Sequence, residues 1–427
     1  MRVVESQLLR LRQLFERYSQ PATSGARMWR RTPRSPLSPW QLLSLVSLVC
    51  VSLVFLVDRA TQFLTEPPIE RINYDVVGDF VFVKAAWAGL DPYQPLETLE
   101  SEFGGGAVEG WPSKLPAVAL LMAPLLLTDA DGSVKAMTWV NIAMLVLLVF
   151  LTTRVLRSSF WPWLVITPLL AVTRPVVQGF AYATPVFSVS VLVVLTWLLA
   201  QKGDRSLYGL PLGLAISLRL WPFLLLGALL VHGRRRAATG AILTALIATV
   251  GGLAIVGFRI NDSVTGLITA NSFWRSNSSN GSLAGVLDRA GAGDGIVWAL
   301  TVVGALLLGL LPLRAGLDRS LACAVSAGIV LSPLSWPHYS MVALPVCGLV
   351  WASRRARPLL AVSVCFLVSQ IRGDFLFVGR VLLLVAALQW SLDPTSGSAR
   401  DRLSGELRGA GAGKRFPCAR GGAQKDP

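Results

Sequence analysis

The chain has 427 residues, 53% of them hydrophobic and only 15% charged, with a mean hydropathy of +0.58. That balance excludes a soluble globular protein, whose core has no room for so much apolar surface, and points to a polytopic membrane protein. The formal net charge of +15 does not indicate nucleic acid, because the basic residues stand in short runs between apolar segments, as the positive-inside rule places them.

Residues 1–39 form a basic N-terminal segment that reads as cytoplasmic. Leu8, Leu11, Phe15 and Tyr18 recur at helical spacing, with Arg10, Arg12 and Arg17 on other faces. A helix lying on an anionic membrane surface and a solvated tail both fit that pattern. The Arg-rich residues ahead of the first apolar run do not match a secretory leader.

Residues 40–391 read as one transmembrane domain. Its apolar segments are 40–57, 115–128, 137–153, 160–177, 184–200, 207–218, 220–231, 237–258, 296–313, 321–336, 339–352, 359–371 and 375–390. Most are long enough to cross about 30 Å of hydrocarbon once tilt is allowed. Treating 115–128 as a re-entrant or half helix leaves twelve crossings with both termini inside. The inner side then carries 27 of the 39 Lys and Arg, and the outer side 16 of the 24 Asp and Glu. Strict alternation of all thirteen segments would put the termini on opposite sides, so the charges favour the half-helix arrangement.

Two long outer loops follow from this topology, 58–114 and 259–294. Residues 392–427 are rich in Ser, Gly, Ala, Arg and Lys, cannot build a core, and read as a disordered cytoplasmic tail. Four of the five cysteines (Cys50, Cys323, Cys347, Cys365) lie in apolar runs and Cys418 in the tail, with no CxxC. Neither a disulfide framework nor a zinc site is indicated.

The segment ends that carry unusual polar residues gather on the outer side: Asp79 and Lys84, Lys114, Gln178, Arg219, the run Asn277 to Leu283 that contains Asn280, His338, and Arg372 with Asp374. Polar groups near membrane depth are costly unless paired or bathed in a cavity, so their co-location marks a candidate site. Each has a plainer alternative. Lys84, Lys114 and Arg372 can snorkel to headgroups, Gln178 can satisfy backbone in a broken helix, and His338 can cap one. Arg219 lies between two apolar half-segments, near Pro222, where snorkelling is less natural and a phosphate role fits better. Asp91 stands before Pro92 and reads as a turn residue, and Asp129-Ala-Asp131, although a DxD match, reads as an Asp-Gly turn. There is no P-loop, GxSxG or HExxH.

Several blocks resemble glycosyltransferase family 87, actinobacterial polytopic enzymes of the GT-C type. Asp79, followed by Ala85-Ala86, Gly89 and Pro92-Tyr93, resembles the first-loop signature of that family. Trp111-Pro-Ser-Lys-Leu-Pro-Ala117, Val177-Gln-Gly-Phe180, Gly213 to Pro222, Asn280-Gly-Ser-Leu283 and Ser332-Pro-Leu-Ser-Trp-Pro-His338 stand in the family's order. The departures are Arg219 for Lys, Gly281 for Gln, and weakened Pro-Pro and Gly-Gln blocks. The resemblance implies an all-α GT-C fold and an inverting transfer from a polyprenyl-phosphate sugar, in which Asp79 removes a proton from the acceptor hydroxyl.

The leaving group is a phosphate with no nucleotide, so fixed cations could stabilise its charge without a metal, and no cofactor is expected. Arg219 is the first candidate for that charge, with Lys84, Arg275 or Arg372 as helpers, while Gln178, Asn280 and His338 are assigned to substrate binding. The expected partners are the polyprenyl-phosphate donor, a phosphatidylinositol mannoside, lipomannan or lipoarabinomannan acceptor, and the bilayer, with no nucleic acid. An α-1,2-mannosyltransferase is favoured over an arabinofuranosyltransferase. A lipid-linked-sugar transporter would need a polar path continuing to the inner face, and a scaffold would tolerate Asp79→Asn.

Overall fold

The structure is a computed structural model. It describes residues 75–103, 110–156, 173–310, 316–351, 355–368 and 373–392, with Cys50, Val54, Leu170 and Ser353 as isolated positions. The segment expected at 40–57, the N-terminal segment and, beyond Leu392, the expected tail lie outside the described residues. The compact unit that carries the helices ends at Ser391. Among the described residues every regular element is helical and there is no strand.

Among the described residues three helices are long and apolar enough to cross a membrane: Ala130–Leu156, Arg235–Ile255 and Asp374–Leu392. Shorter apolar helices pack beside them at Val186–Lys202, Ser206–Leu218, Trp221–Val231, Asp294–Ala305 and Arg357–Leu367. The helix over Arg235–Ile255 leaves Leu243, Leu246, Ile247 and Val250 exposed, and Ile296, Leu300, Val302 and Val303 are exposed beyond Asp294. Apolar side chains presented outward along whole helices are the surface of a protein solvated by lipid.

The stretch expected as a half helix is broken in the middle. Residues Ala117–Leu121 form one short helix and Ala123–Leu127 a 3-10 turn, with Pro124 where the helix would continue. Neither piece is long enough to cross hydrocarbon.

Among the described residues, both stretches expected as outer loops contain helices. The first contains α1 (Asp75–Trp87) and α2 (Leu96–Phe103), the second α10 (Ile260–Arg275) and α11 (Leu283–Arg289). Helix α1 is apolar all round and almost wholly buried. At 1.5 Å per residue its 13 residues reach about 20 Å, so it is a core helix and not a crossing.

The intervening elements are α3 (Ala117–Leu121), α4 (Ala130–Leu156), α5 (Arg174–Ala181), α6 (Val186–Lys202), α7 (Leu210–Leu218), α8 (Leu224–Val231) and α9 (Arg235–Ile255). They are followed, after α11, by α12 (Asp294–Leu310), α13 (Leu317–Leu331), α14 (Leu344–Trp351), α15 (Arg357–Val368) and α16 (Gly373–Leu392).

Two cores organise the bundle. The larger centres on Trp197, Phe187, Leu212, Leu225, Leu229 and Ile329, joining α6, α7, α8 and α13. The smaller surrounds α1, where Phe80, Phe82 and Val83 meet Leu99, Ala119 and Val134. Helix α9 lies directly on the 3-10 turn Ser206–Gly209 ahead of α7. A Cβ at Gly240 would stand 2.0 Å from the Ser206 carbonyl oxygen, so only glycine permits that approach.

Candidate active site

A cleft with about 800 Å³ of empty space, its open mouth included, lies where the ends of several helices meet. It is lined by Asp75, Gly78 and Leu96, by the segment Trp111 to Lys114, by Gln178 and Tyr182, by Trp274, Asn277 and Ser279, and by Trp336 and His338. The polar residues singled out in the sequence thus converge only in part, and the structure separates those that face the cleft from those that support it.

Asp79 sits one layer behind the cleft wall. It is 1% exposed, and its Oδ1 accepts from Lys114 Nζ at 2.6 Å while Oδ2 has no hydrogen-bond partner. Its neighbour Gly78 lines the cleft. Lys114 is equally buried, and its ammonium also donates to the Asp75 carbonyl at 3.5 Å. The pair joins the first turn of α1 to the Trp111–Pro116 segment. A buried charge pair of this kind holds because each charge compensates the other.

His338 is buried and both ring nitrogens lack partners. Its ring lies edge-on to Tyr182 (6.2 Å) and Tyr339 (4.9 Å). It stands between the apolar segment that ends at Trp336 and the one that starts at Tyr339. Burial first, then the cations Arg219, Arg380 and Lys114, push its imidazole well below the ordinary value of 6.5. The ring is therefore neutral at physiological pH, one nitrogen donating and one accepting. Gln178 also lines the cleft, with a buried Oε1 free of partners.

Arg219 ends α7 and holds its guanidinium over the Tyr339 ring, 6.0 Å from the centroid. It is outside the cleft lining but close enough to depress His338. Lys84 is not brought to the cleft: it is half-buried on α1 with its ammonium 4.8 Å from the Phe80 ring centre. Arg372 lies outside the described residues.

Arg275 is committed elsewhere, to Asp288 at 2.8 Å and to Asp294, so it is not a free cation for phosphate. Arg289 pairs in the same way with Asp374.

Asn280 is 0% exposed and supports the wall instead of facing the cleft. Its amide nitrogen donates to the carbonyls of Arg275 and Pro333, and its oxygen accepts from the amides of Ser282 and Ser335. Ser282 caps α11 by accepting from Gly285 N–H and donates to the Pro333 carbonyl. The two sequence blocks Asn280 to Leu283 and Ser332 to His338 are therefore one knitted unit.

Arg380, absent from the candidate residues, completes it. Fully buried on α16, it donates to the carbonyls of Gly281, Ser335 and Trp336 and to Ser340 Oγ. A lone arginine inside the apolar run 375–390 was the signal for it. Asp75 was equally detectable, since it stands one helical turn before Asp79 once α1 is read as a helix.

The two carboxylates outside the cleft have structural roles. Asp91 Oδ1 accepts from Tyr93 N–H and Asp129 Oδ1 from Gly132 N–H, at a turn and at the start of α4.

The profile of glycosyltransferase family 87 matches residues 116–337, just over half of the chain. A polyprenol-phosphate-mannose-dependent alpha-(1-2)-phosphatidylinositol mannoside mannosyltransferase of Mycolicibacterium smegmatis is 30% identical over 270 residues, which cover 54% of this chain and 59% of that protein. A protein of the same description from Mycobacterium tuberculosis is 27% identical over 303 residues, covering 61% of this chain and 69% of the relative. The chain thus aligns with somewhat over half of the length of the first relative. No solved structure matches it. With its profile matched over more than half of the chain, the chain belongs to glycosyltransferase family 87.

Proposed function

We propose that the protein is a multi-pass membrane mannosyltransferase. It would move mannose from a polyprenyl-phosphate donor to a hydroxyl of a mannosylated phosphatidylinositol acceptor, forming an α-1,2 linkage at the outer face of the plasma membrane with both termini inside. The observation that carries this reading is the cleft, which brings a buried Asp79–Lys114 pair, a neutral His338 and Gln178 together beside helices whose outward faces are apolar. Such a placement lets a polyprenyl tail remain in lipid while its phosphate enters the cleft.

In this mechanism Lys114 meets the donor phosphate, with the Arg219 charge behind it, so that the ammonium is drawn from Asp79 when the donor binds. Asp79 then takes the proton of the acceptor hydroxyl as that oxygen bonds to the anomeric carbon. The bond from that carbon to the phosphate oxygen breaks on the opposite face, and its electron pair leaves with the phosphate. His338 hydrogen-bonds the phosphate or a sugar hydroxyl through its two free nitrogens, and Gln178 offers its carbonyl to a hydroxyl. Lys114 comes ahead of Arg219, the first candidate from the sequence, as the partner of the phosphate, because its residue lines the cleft.

The test is transfer from labelled polyprenyl-phosphate mannose to a phosphatidylinositol mannoside by membranes carrying the protein. Asp79→Asn is expected to lower kcat by about 10² to 10⁴-fold, and wild-type transfer is expected to persist in EDTA because Lys114 and Arg219 carry the phosphate charge. Full activity of Asp79→Asn overturns the base assignment, and transfer from an arabinosyl donor alone overturns the sugar.

A further inference from the structure

The cleft has a second wall that the proton transfer does not use. Trp111, Trp274 and Trp336 all line it, and they are held as one unit. The Trp274 indole N–H donates to the Trp111 carbonyl at 2.9 Å, and its ring meets that of Trp336 edge-on at 6.1 Å and 79°. Gly110 makes the seat. Its φ is +115°, and a Cβ there would stand 2.6 Å from the Trp274 ring. The segment is fixed from below by the Gly110 amide donating to Glu97 and the Gly110 carbonyl accepting from Leu96 N–H.

On the same cleft lie Asp75 and the turn of Asn277 and Ser279. That turn is held by Ser279 N–H donating to Asn277 Oδ1 and by Arg289 donating to the Asn277 carbonyl.

Rigid indole faces beside a carboxylate and a hydroxyl match the two chemistries of a pyranose: a flat C–H face and an edge of vicinal hydroxyls. A lipid phosphate asks for something else, a cation beside apolar helices, and that is provided by Lys114. We propose that the Trp111–Trp274–Trp336 wall with Asp75 is the subsite for the terminal sugar ring of the acceptor, resting on the mannosyl-transfer reading for the identity of that sugar. The indoles take the C–H face of the ring, Asp75 accepts from its hydroxyls, and the ring is thereby presented to Asp79 from the side opposite the donor.

Tryptophan also gathers at membrane interfaces without binding anything, so the test separates the two roles. In nanodiscs, Trp274→Ala, Trp336→Ala and Asp75→Asn are each expected to raise KM for the phosphatidylinositol mannoside acceptor by about tenfold or more, equivalent to about 1.4 kcal/mol, while KM for the donor stays within about twofold. Trp274→Phe, which keeps an aromatic face, is expected to recover most of the loss and to guard against misfolding. An α-linked mannobiose is expected to quench tryptophan fluorescence of the wild type and not of Trp274→Ala.

A rise in donor KM with acceptor KM unchanged overturns the subsite and leaves the reaction intact. An absence of wild-type transfer overturns the reaction, and the mannobiose titration then still decides the subsite: quenching that is equal in Trp274→Ala overturns it.

Discussion

At the scale of single residues the site is governed by charges removed from water. Lys114 and Asp79 are both nearly inaccessible, so replacing one leaves the other buried and uncompensated. Lys114→Met is expected to cost about 3–5 kcal/mol of stability, and adding Asp79→Leu to restore most of it, since an apolar pair of similar volume tolerates burial. Thermal unfolding in detergent checks this, with the double variant stable and inactive; equal instability of single and double variants would show that the pair does not act as a unit. His338 gives a pH signature of opposite origin. Its folded-state value lies well below the ordinary 6.5, so below that pH the unfolded chain takes up a proton that the folded protein refuses. Its contribution to stability is full above about pH 6.5 and falls as the pH drops through that value. The unfolding midpoint of the wild type is expected to decline on acidification more steeply than that of His338→Gln, and parallel curves would contradict a neutral buried ring.

At the scale of elements, much of the architecture was legible in the sequence. The apolar runs 184–200, 207–218 and 237–258 return as helices within a few residues of their expected ends, because long apolar segments and terminal arginines mark helices without help from packing. The convergence of Gln178, His338 and Lys114 was legible for the same reason: scarce polar groups at segment ends have few places to go. What stayed hidden depends on tertiary contact. The α1 helix was read as loop because it is flanked by polar sequence and is too short to span, and its burial is visible only once α2, α3 and α4 close around it. Asn280 looked like a ligand for substrate because its partners are backbone groups, two of them more than fifty residues away. Arg380 escaped because its acceptors are carbonyls, which carry no sequence signal. It ties α16 to two loops at once, so Arg380→Met is expected to strip charge-assisted bonds worth about 1.5–3 kcal/mol each. The measurement is hydrogen exchange, with faster exchange expected at 280–282 and 335–338 and unchanged protection where α7 meets α9. Uniform loosening of the whole bundle would instead make Arg380 a general stability residue.

At the scale of the whole molecule, the bundle has two unlike ends. Helix α6 runs from Val186 to Lys202, α4 carries Asp131 in its first turn and Arg154 in its last, and α9 starts at Arg235 and runs toward α10. The end away from the cleft carries Lys202, Arg205 and the Arg234–Arg236 run, where Asp204 accepts from the amides of Arg236 and Ala237. The cleft end carries the paired acids Asp288, Asp294 and Asp374. Membrane insertion keeps arginine and lysine runs on the cytoplasmic side, so the proposed outer-face transferase requires the basic end inside and the cleft end outside. Orientation is therefore checkable by thiol labelling in a background without the five native cysteines. A membrane-impermeant maleimide is expected to label Asp262→Cys, on exposed α10, in intact cells, and to label Arg236→Cys, at the basic end, only after permeabilisation. The reverse pattern would place the cleft in the cytoplasm. Donor and acceptor would then have to reach it from the inner leaflet, and the proposal of an outer-face transferase would fall even if Asp79 and Lys114 kept their chemical roles.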